Sequence, residues 1–91
     1  SAGVPLLMAL DIAVDTVSNQ PLQRALRGMV MPVKSGSRMA QAMLETGQFE
    51  ALAVNLVRVG EETGRLGPLL LEAARIADQR VETGIKRMLA V

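Results

Sequence analysis

Cysteine, histidine, tryptophan and tyrosine are all absent from this chain, and Phe49 is its only aromatic residue. The lack of cysteine rules out disulfides and thiolate metal sites, and leaves the redox compartment unread. Without His or Cys, the side chains that most often act as base or nucleophile near neutral pH are missing. One phenylalanine offers no platform on which bases can stack. No sign of charge dominates either. Ten basic and nine acidic residues give a net +1, which is neither a nucleic-acid footprint nor a trap for acidic substrates. Long apolar runs are missing as well. No stretch reaches the roughly 18 residues of a membrane span, and the apolar opening, residues 4–10, is closed by Asp11. No secretory leader is visible in these 91 residues, and no phosphate-binding loop of the Walker type.

The chemistry that remains is sparse. Lys34 and Lys86 lie in polar or terminal settings, and Ser1, Ser18, Ser35 and Ser37 fall at helix ends, where capping is the usual role. Glu61-Glu62 is the one adjacent acidic pair. Neighbouring helical residues point about 100° apart, so the two carboxylates do not converge on one cation unaided. The sequence therefore predicts no enzyme, no cofactor and no metal.

What is present is helical. Hydrophobic residues make up 49% of the 91 positions, enough for one small core. A domain of this size buries only about 60–65% of the surface its unfolded chain exposes. The chain opens at Ser1 without an initiator Met and closes on Met88-Leu89-Ala90-Val91, and both ends read as cut from a longer protein. Apolar residues recur at helical spacing in five segments, and no run reads as a strand. The first covers residues 5–17, with Leu6, Leu7, Leu10, Ala13, Val14 and Val17 inward and Asp11 and Asp15 outward. Asn19 caps the second, residues 20–33, whose stripe is Leu22, Ala25, Leu26, Met29, Val30 and Val33, with Gln23, Arg24 and Arg27 facing away. Pro32 lies inside that stripe and has no N–H for the Gly28 carbonyl, so the last turn is expected to kink or end early.

Ser37 is the expected cap of a short third helix, residues 38–46, with Met39, Ala42 and Met43 inward and Gly47 just past its end. The fourth, residues 49–63, turns Phe49, Leu52, Ala53, Leu56 and Gly60 inward, with Val57 alongside. Gly64 stops it. The fifth is expected from Pro68 onward with Gly67 as its cap. Leu66 would staple to Leu71 across its first turn. Its stripe is Leu70, Ala74, Ala77, Val81, Ile85 and Met88, while Arg75, Asp78, Arg80, Glu82 and Lys86 form a solvated face. The six methionines fall largely at core-facing positions. The fold class is all-α, an antiparallel helical bundle.

The most informative segment is Val59-Gly60-Glu61-Glu62-Thr63-Gly64-Arg65-Leu66. Structurally, Gly60 lets two helices approach, Gly64 closes the helix, and Leu66 folds back onto its end. Its order among other short signals carries a resemblance. Ala2-Gly3-Val4-Pro5-Leu6-Leu7 with Ala9-Leu10 is similar to the entry segment "AGVPLLEAL" of a known family. Asn19 with Pro21-Leu22 and Ala25-Leu26, then Gly36 with Met39 and Ala42-Met43, then Phe49 and the Gly60–Leu66 segment, then Leu70 with Ala73-Ala74, follow in the family's order. The family is the F-type inner-membrane platform protein of type II secretion systems and its type IV pilus counterpart. Each motif alone is weak, and the match covers essentially the whole chain. Arg38 stands where the family has a capping Ser, Glu50 where it has Pro, and Pro32 within a helix that is normally unbroken.

The resemblance implies one cytoplasmic helical domain of a larger membrane protein. A full domain of the family has six helices, so this chain would show five and lack the first. It implies a non-enzymatic assembly platform of the bacterial inner membrane that links the motor ATPase and neighbouring subunits to the growing pilus or pseudopilus. Gly60, Glu61, Glu62, Gly64 and Leu66 would form an interaction or helix-junction motif. A missing helix would leave an exposed apolar groove beside Leu6, Leu7 and Leu10 and favour self-association. Two other readings compete: a soluble helical adaptor or regulatory bundle unrelated to secretion, and a small nucleic-acid binder using Arg24, Arg27, Lys34, Arg38 and Arg58.

Overall fold

The computed structural model describes the backbone of residues 3–90 and the side chains of residues 6–79. All regular structure among them is α-helical, in the order α1 (Gly3–Thr16), α2 (Gln20–Gly28), α3 (Val30–Lys34), α4 (Met39–Thr46), α5 (Ala51–Thr63) and α6 (Leu66–Ala90). The long α6 is the spine of the bundle. It packs along both α5 and α1, with α4 against α5 and α2 against α1.

Five expected helices become six because the second is broken. Its first part ends at Gly28 and its continuation starts at Val30. Between them the Met29 amide bonds to the Leu26 carbonyl at 3.1 Å, a tighter turn than α-helix, and Val33 resumes with a bond to the Met29 carbonyl at 3.0 Å. The break falls four residues before Pro32, as the ring and its missing N–H demand. The stripe survives it: Leu22, Leu26 and Met29 are buried, while Ala25, Val30 and Val33 are half-buried.

Among the described residues the buried core consists of apolar side chains alone. Leu10, Val17, Leu26, Met29, Met39, Met43, Val57 and Leu70 are its largest fully buried members. Each is worth about 1.5–3 kcal/mol relative to exposure. Not all methionines belong to it: Met8 and Met31 are exposed on the surface.

Several local expectations need correction. In α5 the buried face is Ala53, Val54, Val57 and Gly60, while Leu52 is 48% exposed. The helix starts at Ala51 after Glu50, and its inward face turns toward Val54. The start of α4 is marked by Arg38 at the cap position with no side-chain capping bond, so Ser37 does not cap it. The Ser37 amide is instead bonded to the Pro32 carbonyl at 2.9 Å. Helix α6 begins at Leu66, and the Leu69 amide bonds to the Arg65 carbonyl at 3.2 Å. Gly67 is thus inside the first turn rather than its cap. Pro68 shares that turn, where missing N–H groups cost nothing. Gln23 does not face away: its amide donates to the Val14 and Val17 carbonyls at 3.3 and 2.8 Å, and so closes the end of α1. The expected stripe positions Val81, Ile85 and Met88, the charged Arg80, Glu82, Lys86 and Arg87, and the ring of Pro5 lie outside the described side chains.

A helix junction pinned by Glu61

The turn from α5 into α6 is closed by Gly64, in left-handed conformation at φ +76°. The Arg65 amide reaches back to the Gly60 carbonyl at 2.9 Å, closing the helix end as in a Schellman motif. Two residues separate α5 from α6, so the two helices start out in close contact. Gly60 sits at that contact and is buried. A Cβ there would lie 3.0 Å from the Leu66 Cα, 3.1 Å from the Leu69 Cβ and 3.2 Å from the Arg65 carbonyl oxygen. Glycine is favoured by space, since a methyl would make these neighbours give by a few tenths of an ångström, and Leu66, half-buried against the core, fills the other side of the joint.

Glu61 turns away from this joint toward α4. Its Oε2 accepts the Met39 amide at 2.8 Å, and its Oε1 accepts the Ala40 amide at 3.0 Å. These are the first two amides of α4, which that helix cannot satisfy itself, and a carboxylate is also favoured there by the helix dipole. The cap that Arg38 cannot provide thus comes from 22 residues along the chain. Glu62 points to solvent. The acidic pair is therefore split, one carboxylate committed to α4 and the other outside.

A second carboxylate acts in the same way. Asp78 of α6 accepts the Ser18 and Asn19 amides at 3.2 and 3.1 Å and the Ser18 hydroxyl at 3.3 Å, which ties the α1–α2 connection to the spine. Asn19 then caps α2 through the Leu22 amide at 3.0 Å, as expected from sequence. Sequence pattern alone places Asp78 on a solvated face. The signal for its role was its place one turn beyond Ala74, at the edge of the apolar stripe.

Leu7 and Leu10 line a groove of about 400 Å³ between α1 and α2–α3, together with Met8, Asp11, Val14, Arg27, Val30 and Lys34. Leu10 is its floor, with no exposed surface of its own. Leu6 packs on the core and does not line the groove. The exposed ion pair Glu72–Arg75 is the one salt bridge among the described residues. Hydrogen bonding to Arg75 holds the Glu72 carboxyl below its ordinary value, and the same bond raises Arg75. No cluster of three or more metal-ligating side chains occurs among the described residues.

The described residues thus form an all-α bundle in which carboxylates of one helix fasten the start of another. The chain belongs to the type II secretion system protein F family: the family's sequence model, described as "Type II secretion system (T2SS), protein F", matches residues 1–91. It is similar to the type II secretion system protein F of Xanthomonas campestris pv. campestris, at 34% identity over 88 residues, covering 97% of this chain and 22% of that protein. It is also similar to the type IV pilus assembly protein PilC of Myxococcus xanthus, at 31% identity over 91 residues, covering 100% of this chain and 22% of that protein. The chain thus spans about a fifth of the length of these relatives. No solved structure matches it.

Proposed function

We propose that this chain is a non-enzymatic cytoplasmic module of an inner-membrane assembly platform in a type II secretion or type IV pilus system. It docks the motor ATPase, neighbouring inner-membrane subunits and further copies of itself. The match of all 91 residues to the protein F family carries this reading. The geometry supports it in two ways. The junction is built for rigidity, with Gly60, Gly64 and Leu66 fixing α5 against α6 and Glu61 fixing α4 to both. Glu62 stays exposed on the outside of that joint, where it is open to a partner. No helix among the described residues is long and apolar enough to cross a membrane, so in this reading other parts of a longer protein hold the bilayer. The adaptor reading rests on the same physical features and has no family match behind it.

The test is co-purification. The complete platform protein containing this segment is tagged and solubilised from membranes together with the system's motor ATPase. The ATPase should be recovered with it, and should be lost when this segment is exchanged for an unrelated helical bundle of similar size. Recovery that survives the exchange, or that fails with the natural protein, overturns the docking role.

A further inference from the structure

The net charge of +1 hides a segregation. Residues 16–44 hold four basic side chains and no acidic one, while the remaining positions hold six basic and nine acidic. Three of the four, Arg24, Arg27 and Lys34, follow one another along the outer side of α2–α3. Met31 lies between them, and the set is spaced i, i+3, i+7 and i+10. Every side chain on this crest is exposed. Met31, at 68%, is the most open large hydrophobic residue among those described. None of the three cations forms an ion pair among the described residues. The depressions on either side of the crest each carry a carboxylate. Asp11 lines the groove beside Arg27 and Lys34. Glu45 lines a cleft of about 570 Å³ beside Arg24, between α2–α3 and α4.

We infer that this crest rests on an anionic phospholipid surface. Its shape selects a plane over a chain. An acidic peptide settling into either depression would meet Asp11 or Glu45, whereas a flat surface touches the crest and passes over both. Single-stranded nucleic acid finds no stacking platform, because Phe49 is the one aromatic and it packs against the core. Met31 gives the crest an apolar tip that sinks to the boundary of headgroups and acyl chains, while Arg27 and Lys34 to either side of it stay with the phosphates. The inference rests on the platform reading, which keeps this chain beside a bilayer held by other parts of a longer protein. Each Lys or Arg close to an anionic leaflet strengthens association about fivefold, so three together prefer it over a neutral one by roughly 100-fold. Such a contact is weak for a free domain and becomes populated for one tethered beside the surface at about millimolar effective concentration. It fixes which side of the bundle faces the membrane and which is left for protein partners.

The complete platform protein containing this segment, without the ATPase, is placed in lipid nanodiscs of phosphatidylcholine alone or with about one-third phosphatidylglycerol. Oxidation of Met31 by dilute hydrogen peroxide is then followed by mass spectrometry. It should be at least about 3-fold slower in the anionic discs, and the difference should vanish at roughly 0.5 M salt, where screening acts within about 4 Å. The combined variant Arg24→Gln, Arg27→Gln and Lys34→Gln changes exposed side chains that packing does not use, and its Met31 should oxidise alike in both discs. Equal oxidation of the natural protein in the two discs overturns the proposal, as does a slowing that survives salt or the triple substitution. Polyglutamate and RNA, each added to neutral discs, stand for the rival occupants. Protection of Met31 by either one, with none from anionic lipid, assigns the crest to that partner and overturns the proposal too. If the ATPase co-purifies while Met31 stays open in anionic discs, only this inference falls. If Met31 is protected and the ATPase is not recovered, only the docking role falls.

Discussion

Replacing Glu61 with Ala tests whether α4 depends on a cap supplied by another helix. The carboxylate accepts two amides at 2.8 and 3.0 Å in a half-buried setting. Its removal strips the first turn of α4 of both bonds, because the cap residue itself makes none. An ordinary side-chain cap is worth about 0.5–2 kcal/mol, and hydrogen bonds to a charged group are worth about 1.5–3 kcal/mol each. Water can replace part of this at a half-buried site, so about 2 kcal/mol is expected. In a domain of this size that lowers Tm by roughly 8–16 °C. Glu61→Gln keeps one acceptor oxygen but turns an NH2 toward the second amide, and about half to two-thirds of the loss should remain. Glu62→Ala, one residue on and exposed, should stay within about 0.5 kcal/mol. Urea or thermal unfolding followed by circular dichroism gives the stabilities, and hydrogen exchange gives the location: the Met39 and Ala40 amides should lose protection first. The reasoning fails if Glu61→Ala costs no more than Glu62→Ala, or if those two amides exchange as slowly as before.

The other expectations concern the remaining joints. Gly60→Ala places a methyl against the Leu66 backbone at 3.0 Å and should cost about 1–3 kcal/mol by overpacking, read from the urea midpoint. Asp78→Ala frees the Ser18 and Asn19 amides. It should cost about 1 kcal/mol, with faster exchange at Asn19 as its local sign. Leu70→Ala, at a fully buried position of the spine, should cost about 2–5 kcal/mol. Carbon-detected NMR titration should find Glu72 ionising below its ordinary range because of Arg75, and Arg75→Gln should bring it back. The sign follows from linkage: a lowered carboxyl favours the folded state above its unfolded pKa, and that preference is lost as the pH falls through the folded value. Both side chains are exposed, so the pair should be visible in the titration curve and nearly absent from stability.

Helical periodicity made most of the fold legible in the sequence. Positions such as Leu10, Ala13, Val14, Leu22, Leu26 and Leu70 are each identified by their own helix. The αL glycine at Gly47, the cap at Asn19 and the break before Pro32 are equally local. The misplaced features share a cause: they depend on a partner that is distant in sequence. Leu52 and Val54 exchange places because the packing of α5 is set by α4 and α6. Ser37 looked like the cap of α4 because nothing near it reveals that a carboxylate 22 residues on takes the Met39 amide. Gln23 and Asp78 fall on the water side by pattern, because pattern alone cannot distinguish a polar side chain facing solvent from one facing another helix's unpaired backbone.

That division also bears on why the junction segment is the most recognisable stretch in the chain. Its residues serve three helices at once. Gly60 and Gly64 bring α5 and α6 together, and Glu61, on the same turn as Gly60, reaches across to α4. A change of angle between α5 and α6 therefore moves the carboxylate, and with it the start of α4. Conversely, a force on α4 is delivered through a bidentate contact to the turn where α5 and α6 lie closest, with the Gly60 backbone packed tightly against Leu66 and Leu69. In the proposed docking role, a module loaded from several sides would need a joint of this kind. Packing and hydrogen bonding thus use Gly60, Glu61 and Gly64, with Glu62 left as the neighbouring charge that packing does not use.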